Sequence, residues 1–265
     1  MQPYVDTTVA SVARGYGYML GDEENCYEVD RIAAHGIEEM VPGTFALARN
    51  NRRFLVRSTR FLAKECGIRQ FIDNGSGLPT QMNIHQVAKE VAPDARVVYI
   101  DHDPVVLAHQ RDKALLADDG TTAFICEDAC NVDAILNHPE TRRLINFDEP
   151  VAVAYYSFLH CIPDAADPLG VVRQMMDNVV GGSYLVLSHL ISPDAEVRQR
   201  ITDFLVNATG GNWGRVREEE DVRAFFEGLE LVEPGLGHVT DWRPDGGEEE
   251  QTHEWIEYGG VARKP

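Results

Sequence analysis

Strand-like and helix-like segments alternate along the chain from about residue 68, and this alternation constrains the fold more than any other feature. The five strand-like runs cover residues 68–73, 95–101, 122–128, 149–160 and 183–190. The run "ARVVYID" is the clearest, because it is continuously apolar and rich in β-branched residues, as in strands buried on both faces. Strands that alternate with helices form a parallel sheet with helices on both faces. The sequence therefore predicts an α/β fold.

The segment after the first strand shows how the connecting helices are recognised. In "TQMNIHQVAKEVA" (80–92), apolar residues recur at helical spacing, and Thr80 is a suitable N-cap. Similar patterns occupy the later connections and the region beyond the fifth strand. These helical patterns cover residues 103–120, 132–145, 167–180, 193–209 and 219–229.

The two ends of the chain follow different patterns. Residues 229–234 and 253–264 resemble strands with only a loop between them, which predicts an antiparallel hairpin. Residues 1–65 are largely helical by pattern. We expect them to form an N-terminal helical cap within the same domain as residues 66–265.

The loop after the first strand, "FIDNGSGLPT" (71–80), carries two glycines one residue apart. Gly75 and Gly77 let the backbone turn sharply and approach a ligand closely. A plain strand-to-helix turn has the same pattern. Leu78 stands where a third glycine would complete a dinucleotide-binding fingerprint, which weakens the interpretation as an NAD site.

Acidic residues end the next two strands. Asp101 lies where a carboxylate can accept hydrogen bonds from both ribose hydroxyls of a nucleoside. Asp128 follows the third strand, where it could accept from an adenine amino group beside the Ala129 N–H. Asp128 could instead be a solvated loop residue, and Asp103, two residues beyond Asp101, is expected only to cap the next helix. Three acids at successive strand ends beside a glycine turn favour an adenosine site.

The charge of the chain bears on its partners. The net charge of −19 argues against a nucleic-acid partner, because such binding relies on Lys and Arg. The arginines at positions 49, 52, 53, 57 and 60 are expected to be mostly a solvated helix face, and the acidic loop 243–251 is expected to be solvated.

Hydropathy and cysteine content bear on location. No apolar run approaches the ~20 residues that span a bilayer, and we find no signal peptide pattern. The odd count of five cysteines, with no C-x-x-C pair, predicts reduced thiols, no metal site and a cytoplasmic location.

Several motifs carry a family resemblance. "DNGSG", "VVYIDHDP", "EDA" and "YYSFLHCIPD" resemble the cofactor motifs of class I S-adenosylmethionine (SAM) methyltransferases. The stretches "ARGYGYMLG", "ARNNRRFL", "GLPTQMNIHQVA", "GSYLVLSH" and "GGVARKP" are similar to a largely actinobacterial S-adenosyl methyltransferase family of unassigned substrate. The resemblance implies SAM as cofactor. It also implies a Rossmann-like, seven-stranded, mostly parallel sheet with an antiparallel C-terminal strand, residues 66–265 forming the SAM-binding methyltransferase domain.

The resemblance also implies residue roles. Asp73, Gly75, Ser76 and Gly77 would lie along the methionine and ribose portion of the cofactor. Tyr156, Ser157 and Phe158 would line its methionine end.

Further roles are less specific. Asp101 would bind the ribose, and Asp128 with Ala129 the adenine; His102 would pack on the adenine edge or lie exposed. Asn83 could reach the methionine end or only cap its helix. Arg14, Tyr18 and Arg49 match the family's N-terminal motifs, and one arginine would pair with the cofactor carboxylate.

The sequence thus predicts a SAM-dependent methyltransferase that acts on a small-molecule acceptor. Two alternatives stay open: a SAM-binding regulatory protein without catalysis, and an NAD-dependent oxidoreductase. The second is disfavoured because Tyr155 and Tyr156 are followed, four residues on, by Leu159 and His160 and not by a lysine. His160 is the candidate general base, with a hydrogen-bonded structural histidine as the alternative. The sequence does not predict the oligomeric state.

Overall fold

The central sheet is built from five parallel strands and three antiparallel ones. The structure is a computed structural model that describes residues 5–80, 82–106 and 120–265. The parallel strands are β1 (Gln70–Asn74), β2 (Arg96–Asp101), β3 (Thr122–Cys126), β4 (Ala152–Tyr156) and β5 (Tyr184–Ile191). The antiparallel strands are β6 (Glu230–Leu231), β7 (Gly237–His238) and β8 (Ile256–Arg263).

The strand order places a crevice near the middle of the sheet. The order is β3-β2-β1-β4-β5-β8-β6, with β7 paired to β8. The chain therefore runs outward in one direction from β1 and in the other from β4. At such a reversal of strand order, ligands bind beyond the carboxyl ends of the strands.

The predicted fold class is confirmed. All five predicted parallel strands form, and β8 pairs antiparallel with both β5 and β6. The predicted C-terminal hairpin is therefore present, with β8 inserted between β5 and β6. The two-residue strand β7 is an addition to the predicted seven.

Side chains of the central strands alternate between two cores, one on each face of the sheet. On β2, Val98 and Ile100 belong to one buried cluster, whereas Val97 and Tyr99 belong to the other. Successive strand residues point to opposite faces, so a continuous apolar run fills both cores.

Helices cover the two faces of the sheet. Three precede β1, and they are α1 (Val12–Met19), α2 (Glu28–Met40) and α3 (Thr44–Lys64). The others are α4 (Ile84–Lys89), α5 (Val132–Asn137), α6 (Pro139–Leu144), α7 (Pro168–Asp177), α8 (Ala195–Ala208) and α9 (Glu219–Arg223). The helix predicted over residues 103–120 begins at Pro104, and residues 107–119 of it lie outside the described residues. None of the helices in the described parts of the chain is long and apolar enough to cross a membrane.

The three N-terminal helices, referred to below as the cap, share cores with the rest of the chain. Phe54 and Leu62 of α3 belong to the same buried cluster as Phe71 of β1. Ser11, which caps α1, donates a hydrogen bond of 2.5 Å to Asp103 just beyond β2. The cap is thus fastened over the carboxyl ends of the strands.

Helix α3 also holds the acidic loop near the C-terminus. Arginines at intervals of four residues on α3 each form an ion pair with this loop. The pairs are Arg49 with Glu249 (2.7 Å), Arg53 with Asp245 (2.6 Å) and Arg57 with Glu248 (3.2 Å). Arg57 is only 7% exposed, so the prediction of a solvated arginine face is wrong for this residue. The acidic residues of this loop are the ion-pair partners of the α3 arginines, and the sequence pattern did not show that the two segments meet.

Candidate functional site

One large cavity lies between the cap and the carboxyl ends of the strands. Its volume is about 810 Å³, in the upper part of the ~300–1,000 Å³ typical of ligand sites. Most of the predicted cofactor residues line it. They are Asp73, Gly75, Ser76, Gly77, Asp101, His102, Asp128, Tyr156, Ser157, Phe158 and Arg14.

The glycine loop forms a tight turn at the end of β1. The amides of Gly75 and Ser76 both donate to the carbonyl of Ile100, at 2.9 and 3.0 Å. Gly75 and Gly77 have φ values of 69° and 64°, a region that favours glycine. A Cβ on Gly75 would lie 2.0 Å from the Phe158 ring, whereas a Cβ on Gly77 would meet nothing within 4 Å. Gly75 therefore allows close packing against the Phe158 ring, whereas the space beside Gly77 is open.

Asp101 is positioned by backbone amides from the loops after β1 and β2. Its carboxylate accepts hydrogen bonds from the Gly77 N–H (2.8 Å) and the Asp103 N–H (2.9 Å). Burial raises the pKa of Asp101, and these two hydrogen bonds oppose the shift. Each oxygen keeps acceptor capacity, which suits ligand hydroxyls.

Asp73 is a buried carboxyl on β1 that faces the cavity. Burial raises its pKa to about 7, while the Arg52 guanidinium lowers it and Asp101 raises it further. Arg52 donates to Oδ1 of Asn83 at 2.8 Å. Sequence reasoning placed Arg52 on a solvated helix face, but it lines the cavity instead. A signal was available, because the helical pattern places Arg52 off the row formed by Arg49, Arg53 and Arg57.

The segment after β4 joins β5 and β8 at the cavity wall. Ser157 has a φ of 51°, unusual for a residue with a side chain. Its N–H donates to the Ser188 hydroxyl at 2.9 Å, and its own hydroxyl donates to Oε1 of Glu257. Tyr156 shares a hydrogen bond of 2.7 Å with the Ser58 hydroxyl.

Glu257 was missed by sequence reasoning. It lies on β8 opposite Leu190 of β5, is 1% exposed, and lines the cavity. Burial raises its pKa to about 8, partly offset by the Ser157 hydrogen bond. The available signal was a lone acid within the apolar and aromatic run "WIEY" (255–258).

His160, the candidate general base, lines the cavity and is already hydrogen-bonded there. Its Nδ1 lies 3.3 Å from the Leu190 N–H, which donates to it, so the neutral ring carries its proton on Nε2. Burial, followed by the nearby Arg217, lowers the pKa of His160 to about 3. These contacts fit the alternative of a hydrogen-bonded structural histidine, and the role of general base stays a prediction from the sequence.

Four predicted residues lie off the cavity wall. The Tyr18 hydroxyl shares a hydrogen bond of 2.9 Å with Nε2 of His35, and Arg49 forms an ion pair with Glu249. Asn83 accepts from Arg52 and caps α4, and Ala129 is buried behind the wall at 2% exposure. Their cofactor-binding roles remain predictions from the sequence.

Arg14 lines the cavity but already has a partner. Its guanidinium forms a buried ion pair of 2.8 Å with Asp30 and donates to the Val9 carbonyl, also at 2.8 Å. Asp30 in turn accepts from the Ser11 and Tyr27 amides. Arg14 thus ties α1 to the start of α2, and its pairing with a cofactor carboxylate stays a prediction from the sequence.

The residues present fit a sulfonium nucleoside. The glycine loop lacks the third glycine that is typical of pyrophosphate binding. Carboxylates outnumber guanidinium groups on the cavity wall. Those that line the cavity are Asp6, Asp73, Asp101, Asp103, Asp128 and Glu257, against the guanidinium groups of Arg14 and Arg52. An acidic wall attracts a cation. Fold and site together define a Rossmann-like α/β protein of the SAM-binding type.

The sequence identifies the family. The model of the S-adenosyl methyltransferase family matches residues 1–265, and the chain belongs to this family. It is a SAM-dependent methyltransferase, and its cofactor is S-adenosylmethionine. No curated protein matches it in sequence.

Solved structures agree with this assignment. A candidate methyltransferase from Thermobifida fusca YX is 40% identical with a TM-score of 0.89, covering 98% of this chain and 96% of that one. A DUF574 family protein from Streptomyces avermitilis MA-4680 is 35% identical with a TM-score of 0.88, covering 99% and 100%. Magnesium protoporphyrin IX methyltransferase from Synechocystis PCC 6803, at 12% identity and a TM-score of 0.52 over 94% and 93%, shares the fold.

Proposed function

We propose that this methyltransferase acts on a small-molecule acceptor held beneath the cap. The observation that carries the proposal is that polar and apolar residues line different parts of this cavity. One part is polar and lies along the ends of β1, β2 and β4. The other is apolar and lies against the cap and α8, with Ile37, Leu47, Leu190, Leu205 and Trp213 among its walls. A methyl acceptor with an apolar body suits the second part.

The polar part would hold the cofactor. Asp101 would accept from the ribose hydroxyls, and Asp128 from the adenine amino group. Asp73 would lie near the methionine ammonium group, which the negative charge of its carboxylate would favour. SAM supplies a methyl group on a sulfonium, and the protein aligns the acceptor and excludes water.

The cap would be part of the same domain as the sheet, because its side chains complete cores shared with β1 and β5. The net charge of −19 and the enclosure of the cavity both favour a small acceptor over RNA or DNA. All five cysteines are unpaired, which supports a cytoplasmic location.

Calorimetry tests the cofactor part. S-adenosylhomocysteine (SAH) should bind the wild type, and NAD should not. The acceptor class is tested by incubating the protein with methyl-labelled SAM and a bacterial extract separated into small metabolites, protein and nucleic acid. Label should enter the small-metabolite fraction. Label confined to protein or nucleic acid would contradict the proposal.

A further inference from the structure

Glu257 is the most unusual group on the cavity wall that the cofactor roles leave unused. One of its carboxyl oxygens accepts from Ser157, and the other, Oε2, is buried without a hydrogen-bond partner among the described residues. A buried acceptor without a partner is destabilising, so such a group in a folded protein calls for an explanation. The position of Oε2 on a ligand-sized cavity supplies one: a ligand group completes it.

The surroundings of Glu257 identify the missing partner as a cation. Neither an arginine nor a lysine forms an ion pair with Glu257 in the described parts of the chain. Burial is the largest influence on its pKa, which it raises. Arg14 is engaged with Asp30, and Arg52 lies towards Asp73 and Asn83. A carboxyl this deep stays protonated unless a positive group pairs with it, so a cation is the partner that would let Glu257 ionise. An ammonium group that also donates a hydrogen bond meets both needs.

The wall beside Glu257 indicates the body of the ligand. Leu190 stands opposite Glu257 in the sheet, and Trp255 lies two residues before it, just outside β8. Both belong to one apolar cluster with Leu47 and Trp213, and all four line the cavity. The Trp213 indole N–H is a second buried polar group without a partner among the described residues. This compartment is therefore apolar and aromatic, with polar groups that a ligand can meet.

Glu257 also lies close to where methyl transfer is expected. Its hydrogen bond to Ser157 places it directly behind the segment 156–158, which is predicted to line the methionine end of the cofactor. A group bonded to Glu257 would thus be near the reactive methyl.

We propose that Glu257 is the acceptor-side carboxylate of this site, that it binds an amine on an apolar or aromatic body, and that it accepts the proton which frees the nitrogen lone pair. The proposal rests on the methyltransferase function and deepens it by naming the acceptor class. The ammonium R–NH₃⁺ gives one proton to the carboxylate, leaving R–NH₂ and a neutral Glu257. The nitrogen then bonds the methyl carbon as its bond to sulfur breaks, and that electron pair stays on sulfur. The product is the methylated ammonium R–NH₂–CH₃⁺, and the net charge of the ammonium, carboxylate and sulfonium groups is +1 before and after.

Binding to the SAH-loaded protein tests the proposal without turnover, since SAH has no methyl to transfer. The probes share aromatic bodies and differ in head group: 2-phenylethylamine and tryptamine, the alcohols 2-phenylethanol and tryptophol, and 3-phenylpropanoate. We expect an amine to bind about tenfold or more tighter than its matched alcohol, because a charged hydrogen bond is stronger than a neutral one. Glu257→Gln should remove that preference and leave SAH affinity unchanged.

Glu254→Gln is the matched control, since Glu254 pairs with Arg200 on the surface and its loss should change neither preference nor affinity. The wild-type comparison stands even if Glu257→Gln does not fold. Equal or tighter binding of the alcohols or the carboxylate, absence of amine binding, or an amine preference retained in a folded Glu257→Gln would overturn the proposal. Failure of SAH itself to bind would instead count against the proposed function.

Discussion

The amide of Gly77 donates a hydrogen bond of 2.8 Å to Oδ2 of Asp101, which joins the glycine turn after β1 to the carboxylate that ends β2. The two features that the sequence separates by 24 residues thus form one corner of the cavity. The ends of adjacent parallel strands meet at one edge of a sheet, so their loops can share a ligand.

Asp101→Ala should weaken SAH binding by roughly 1–3 kcal/mol, because ligand hydroxyls and the Gly77 amide would both lose an acceptor. Calorimetry on the purified variant measures the change. Asp94→Ala is the control, because Asp94 is exposed at the opposite end of β2 and should bind as the wild type does. An unchanged affinity in Asp101→Ala would remove this residue from the cofactor site.

Gly75→Ala should destabilise the protein more than Gly77→Ala does. Both positions have positive φ, so both substitutions carry a backbone strain of roughly 1–2 kcal/mol. Only the first adds an overlap with the Phe158 ring, at about 1–3 kcal/mol more. Urea unfolding of the two variants gives the difference directly. Equal losses of stability in the two variants would show that the Phe158 ring moves aside at no cost in free energy.

Arg57→Met should lower the free energy of unfolding by about 2–4 kcal/mol. The buried guanidinium donates to the carbonyls of Val239 and Trp242 and pairs with Glu248, so its removal strands several acceptors. Arg60→Met, three residues further on α3, removes only an exposed pair with Glu90 and should cost less than ~1 kcal/mol. Urea denaturation of both variants checks this contrast, and similar losses would contradict it.

The stability of the ligand-free protein should fall as pH rises through the range in which Glu257 titrates. Burial raises the pKa of Glu257 from 4.5 to about 8, so over this range the folded state keeps a proton that the unfolded state has released. The stability contributed by the neutral form is complete below pH 4.5 and is lost progressively up to pH 8, by at most about 1.4 kcal/mol per pH unit.

Glu257→Gln should remove this contribution and flatten the decline, which urea unfolding at several pH values measures. Asp73, whose pKa burial raises to about 7, acts in the same direction, so the variant should keep part of the slope. A slope identical to that of the wild type would show that Glu257 has an ordinary pKa.

The fold could be predicted because its signals are local. Each central strand is a continuous apolar run, as in residues 95–101, and each turn or cap is marked by glycine, proline or a short polar residue. The strand-end acids followed from the same pattern, since a strand's last residue marks the edge of the sheet.

The acceptor side could not be predicted in this way. The burial of Glu257 depends on the antiparallel pairing of β8 with β5 and on the cap closing over it, and both are long-range events. The environment of Arg52 could not be predicted for the same reason. A helical pattern shows which side of α3 Arg52 occupies, but only packing against the sheet shows what that side faces.

The arginines of α3 hold the loop 245–249, and two of the three ion pairs, those of Arg49 and Arg53, are partly open to solvent. Exposed ion pairs are weakened by dissolved salt, whereas the hydrogen bonds and buried groups at Asp101 are affected far less. The loop 245–249 and the corner at Asp101 should therefore respond differently to ionic strength. In concentrated salt the loop would loosen from α3, while Asp101 and the strand β8 that carries Glu257 keep their hydrogen bonds.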